Sequence, residues 1–120
     1  MNVSSPEEFR ITSSSFYSRS FTILIRDQKL LYHASRPEEK LIRIPADEDW
    51  DKFWKETVKL KIWLWQKSYV NRGSSDGQNW SVKIKIGKMK LHSYGSGEFP
   101  ENYQEFLKAL KKLVGGLEFY

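Results

Sequence analysis

Cysteine is absent from this 120-residue chain, which excludes disulfides, thiolate nucleophiles and thiolate-bound zinc. Histidine is scarce. His33 and His92 lie far apart in sequence and neither has an H-x-x-x-H partner, so no metal site is expected. Long apolar runs are missing too, since 23–25 and 62–65 fall far short of the roughly 20 residues that cross a bilayer. The first fifteen residues carry Glu7 and Glu8 but no basic stretch followed by an apolar one. A soluble, cytoplasmic protein is therefore the expectation. Catalytic signatures are lacking as well: 93–98 holds no G-x-S-x-G elbow, and no phosphate-cradling G-x-x-x-x-G-K-[ST] loop occurs. No enzymatic activity and no cofactor are expected.

What the chain does have is large rings. Five Trp, seven Phe and six Tyr make aromatics 15% of the residues, enough to build one core despite a mean hydropathy of -0.63. At 14.2 kDa one domain is expected, able to bury roughly 65% of the surface its unfolded chain exposes. The net charge of +5 is unevenly spread. Residues 59–90 hold Lys59, Lys61, Lys67, Arg72, Lys83, Lys85, Lys88 and Lys90 against Asp76 alone. The acids gather instead at 47–51 and 98–105, where helices are expected to start and where carboxylates complement the positive end of a helix dipole.

Residues 1–15 end in a polar Thr-Ser run and show little apolar periodicity, so they read as a mobile N-terminal tail, with a single domain over 16–120. Phe21, Ile23 and Ile25 start a strand, Asp27-Gln28 offers a turn, and Leu30, Leu31 and Tyr32 resume as its partner. A short third strand over 41–44 stops at Pro45. Asp47 is placed to cap a helix over 47–60, because Trp50, Phe53, Trp54, Thr57 and Val58 recur on one face. Residues 60–65 fit either a continuation of that helix or an extended segment. A loop over 71–79 leads to a hairpin in which Trp80, Val82, Ile84 and Ile86 alternate with polar residues, and Gly87-Lys88 turns the chain back into Met89 and Leu91. Asn102 and Glu105 resemble a capping box ahead of a stripe of Phe106, Leu107, Leu110 and Leu113, which Gly115-Gly116 ends. The expected fold is thus α+β: an antiparallel sheet of about five strands with two helices packed on one face, in the order β-β-β-α-β-β-α. Its core is expected from Phe21, Ile23, Ile25, Trp50, Phe53, Trp54, Trp80, Val82, Ile84, Phe106, Leu107 and Leu110.

The pattern Phe53-Trp54, Trp63-x-Trp65, Tyr69, Asp76-Gly77-x-x-Trp80, Gly95-Ser96, Pro100 and Phe106, over about residues 50–114, resembles a family of small uncharacterised bacterial proteins. Gly97-Glu98-Phe99 departs from the Asn-Ala-Tyr of that family. The resemblance implies a compact bacterial domain and carries over neither an activity nor a catalytic residue.

Two constellations could bind a partner. Lys83, Lys85, Lys90 and His92 should project together from the outer face of the last hairpin, where they would meet anions or simply keep the sheet solvated. Trp63, Trp65 and Tyr94 are candidates for exposed aromatic platforms, although core packing is the first account of the two indoles. With no catalytic motif present, the expected role is a non-catalytic protein-interaction module with a protein partner. The alternative is a weak nucleic-acid or polyanion binder acting through the basic segment 59–90.

Overall fold

Strands form where apolar side chains alternate with polar ones, and here every strand of the sheet's middle buries its apolar phase on the same side. The computed structural model describes residues 5–16, 18–70 and 78–120. Among these, the strands are β1 (Glu8–Ser14), β2 (Phe21–Arg26), β3 (Lys29–Ala34), β4 (Glu39–Arg43), β5 (Ser68–Val70), β6 (Asn79–Ile86) and β7 (Met89–Ser96). Helix α1 (Asp47–Leu60) follows β4 and α2 (Tyr103–Leu113) follows β7. The strands make one seven-stranded sheet in the order β4-β3-β2-β1-β6-β7-β5.

The architecture is α+β with two helices, and five of its strands, β2, β3, β4, β6 and β7, are those read from the sequence. The expected count of about five and the wholly antiparallel pairing are corrected by β1 and β5. Strand β5 lies parallel to β7, pairing Ser68 with Tyr94 and Tyr69 with Gly95, so the sheet is mixed. At three residues it is too short to leave a periodic trace.

Strand β1 overturns the expected mobile tail over residues 8–14. It pairs antiparallel with β2 on one side and with β6 on the other, from Glu8↔Lys85 to Ser14↔Asn79. Phe9 and Ile11 are buried at 2% and 0% exposure, and Ser13 is buried beside them. The reason is tertiary: three inward positions, the last a serine, make a weak alternation, but two ladders and a helix reward it. Residues 1–4 of the expected tail and residues 71–77 of the expected loop lie outside the described residues.

The core lies between the sheet and the two helices. Trp50 and Trp54 of α1 stack at 5.5 Å, and Phe9 meets Trp50 edge-on at the same centroid separation. Helix α2 joins from the other end, with Phe106 against Phe53 and Tyr103 5.0 Å from Trp80. All the expected core residues are buried except Ile25 and Trp54, which are half-buried. The N-cap of α1 is Ala46 rather than Asp47, and Asp49 accepts the Ala46 N–H at 3.1 Å in the returning half of a capping box.

Residues 60–65 are neither more α-helix nor a strand. Lys61 takes a left-handed conformation at φ 59°, which ends α1, and Ile62–Leu64 form a 3-10 turn. That turn buries Ile62 and leaves Leu64 in solvent.

The position of β1 gives two expected outcomes. Phe9→Ala should lower stability by about 3–5 kcal/mol, read from the urea midpoint, because it opens a cavity beneath Trp50. Arg10 should resist trypsin in the native protein at doses that cut an unfolded control, since its peptide bonds are held in two ladders.

Candidate basic sheet face

Both helices cover the inner side of the sheet, so the residues of opposite phase make an open outer face. Strand register sorts them into rows. One row runs His92, Lys83, Arg10, Leu24, Leu31 and then Ile42 across β7, β6, β1, β2, β3 and β4. The next runs Tyr94, Ser81, Thr12, Thr22, His33 and Lys40. On the other side of the first, toward the Gly87 turn, lie Lys90, Lys85 and Glu8.

This geometry brings Lys83, Lys85, Lys90 and His92 around one shallow pocket, with Glu8 as its acidic member. Lys83 Nζ lies 3.7 Å from Glu8 Oε2, and Lys85 Nζ lies 3.4 Å from Glu7 Oε2. These pairs are exposed, so each contributes little to stability and leaves the ammonium available to solvent anions. Lys90 and Arg10 have no ion-pair partner among the described residues. Arg26, Lys29 and Lys40 extend the charge to the far half of the face, where Lys40 and His33 both approach Glu38. The Glu38 carboxyl is held below the usual range, first by its hydrogen bond with Lys40 and by that cation's charge, then by His33. Seven cations therefore share this face with Glu8 and with the two carboxylates that pair to it, Glu7 and Glu38, a net charge of +4. Sequence reasoning missed Arg10 and Thr12 because they lay in the expected tail. It missed Arg26, Lys29 and Lys40 because nothing local says which strands adjoin.

The three candidate aromatics do not come together. Tyr94 is 41% exposed on the outer face, with its ring 6.1 Å from that of His92. Trp63 and Trp65 are half-buried on the helix side. Trp63 Nε1 donates to Thr57 Oγ1 at 3.3 Å, and Trp65 Nε1 donates to Asn102 Oδ1 at 2.9 Å. Asn102 Nδ2 in turn donates to the Leu60 carbonyl, so this residue ties the start of α2 to the end of α1 instead of capping its own helix.

Several residues of the Trp-x-Trp to Pro pattern meet at this end of the core. Trp80 lies between Trp65 and Tyr69, with centroids 6.1 and 5.9 Å away, and donates Nε1 to the Glu98 carbonyl at 2.8 Å. Gly95 lies directly beneath that indole: a Cβ there would sit 2.3 Å from Trp80 Nε1 and 2.7 Å from the Tyr69 carbonyl. Packing thus accounts for the glycine and the indole together. Asp76-Gly77 of the same pattern lie outside the described residues.

Comparison with protein-family models, curated proteins and solved structures finds no match to this chain. Among the described residues no helix is long and apolar enough to cross a membrane.

Two substitutions test this end of the core. Gly95→Ala should destabilise by about 1–3 kcal/mol or more, because rigid backbone and a packed indole must both shift. Tyr103 is the contrasting case: its hydroxyl is buried with no hydrogen-bond partner among the described residues, and burial pushes its pKa upward. Tyr103→Phe should accordingly raise the thermal midpoint, with a gain of about 1 kcal/mol from removing an unsatisfied polar group.

Proposed function

We propose that this chain is a non-catalytic binding module whose open sheet face holds a polyanion, with nucleic acid as the partner class. The observation that carries the reading is the +4 outer face, on which Arg10, Lys83, Lys85 and Lys90 lie in adjoining rows of one sheet. Backbone phosphates are the ligand such spacing suits, because each neutralised phosphate releases condensed counterions and no base-specific group is needed. The six lysines of α1 and α2 stand among six carboxylates on the same helices, whereas the cations of the outer face outnumber its carboxylates seven to three.

A protein partner is the second reading, and one observation favours it. The edge strand β4 and the residue after it expose Ile42 at 56% and Ile44 at 68%, which makes an apolar rim suited to strand addition.

Salt dependence separates the two. With four phosphate contacts to a single strand, log K should fall against log salt with a slope of about -2.8, since each contact contributes roughly -0.7. The triple change K83Q/K85Q/K90Q should flatten that slope to about -0.7 while leaving the urea midpoint within about 0.5 kcal/mol per site. No detectable binding of labelled DNA or RNA at about 50 mM salt, where electrostatic binding is strong, would remove the polyanion reading.

A further inference from the structure

The outer face carries more than charge, and what it adds selects among nucleic acids. Tyr94 and His92 stand two residues apart on β7, both exposed, with ring centroids 6.1 Å apart and a tilt of 54°. Beside Tyr94 the same row continues through Ser81, Thr12 and Thr22, a line of hydroxyls in which Thr12 Oγ1 and Ser81 Oγ are 2.6 Å apart. The adjoining rows toward the Gly87 turn carry Lys83, Arg10, Lys85 and Lys90. Tyr94 and the hydroxyls thus form one band, and Lys83 and Arg10, with His92 at their end, form the next, about 7 Å away, two residues along a strand.

A duplex uses only the second of these bands. Its bases are paired and stacked inside, and a seven-stranded sheet about 29 Å wide cannot enter a major groove about 12 Å wide. An unpaired strand uses both, because its backbone can follow the cation rows while its splayed bases stack on exposed rings and hydrogen-bond to hydroxyls. We infer that the face binds single-stranded nucleic acid, with phosphates over Arg10, Lys83, Lys85 and Lys90 and bases stacked on Tyr94 and His92. This rests on the polyanion reading above and goes beyond it in naming the strand state and the stacking residues.

The test titrates the whole chain with a labelled oligothymidylate, and with a DNA duplex of the same length, at about 50 mM salt. The single strand should bind about tenfold or more tightly than the duplex. Tyr94→Thr, which keeps a β-branched residue in the strand, should weaken the single strand about tenfold and leave the duplex unchanged. Tyr94→Trp should restore single-strand binding, since it returns a stacking surface without the phenol. Should Tyr94→Thr fail to fold by its urea transition, His92→Thr reads the same effect on the neighbouring ring. Equal affinity for the two forms, or insensitivity of the single strand to loss of either ring, overturns the stacking inference while leaving the polyanion reading in place. Binding to neither form overturns both.

Discussion

The fold depends on a seven-residue strand that pairs on both sides. Without β1, the β2–β3–β4 meander and the β6–β7 hairpin share no ladder, because each pairs with β1 and neither pairs with the other. Glu8–Ser14 therefore joins the two halves of the sheet: it pairs antiparallel with residues 21–24 of β2 on one side and with residues 79–85 of β6 on the other. Such pairings cost loop-closure entropy before they return contact energy, so the burial of Phe9 against three rings of α1 is part of the same event as the pairing. The strand is held because its side chains complete a core, and the core is complete because the strand is held.

The same strand makes the outer face continuous. Arg10 stands between Leu24 and Lys83, and Thr12 between Thr22 and Ser81. The basic hairpin alone would present two strands of cations. With β1 in place, its rows extend across six strands, and the half-sheet carrying Arg26, Lys29 and Lys40 becomes part of one surface. Arg19 fixes the far side of this arrangement. Its guanidinium bonds Glu39 and Glu118 and also the carbonyls of Ser35 and Pro37, joining the β3–β4 turn to the C-terminal segment. That segment packs back on the sheet through Phe119, 5.4 Å from Phe21.

Legibility followed the strength of the local pattern. The hairpin around Gly87 and both helices were readable because four or more positions agree on one period, and the aromatic stripe of α1 named most of its own core. Strand β1 was not, since Phe9, Ile11 and Ser13 supply three inward positions and a serine run follows. Nor was the left-handed Lys61, because a lysine carries none of the permissiveness of glycine and the turn is imposed by the burial of Ile62 behind it. The four residues Lys83, Lys85, Lys90 and His92 were legible as one group because they share a hairpin. Their joining with Arg10 and the hydroxyl row was not, because register between distant strands is a tertiary fact.

Putting both helices on one side of the sheet also divides the charge. The acids of the first turn of α1, Asp47, Glu48 and Asp49, and Glu105 of α2 belong to the helix side, where they complement helix dipoles. The outer face holds +4 of a chain whose total is +5, while the two helices carry six lysines and six carboxylates. Charge so divided puts the excess of cations on the open side of the sheet. In the field of an anionic polymer the molecule turns its open face inward before contact, and the helix side, near neutral, neither competes nor repels. The orientation that solvation and helix capping impose for folding is thus the one that encounter with a polyanion requires. The ion pairs of Lys83 with Glu8 and Lys85 with Glu7 hold two lysines in position on that face at little cost, and in the proposed function phosphate would take the place of these carboxylates.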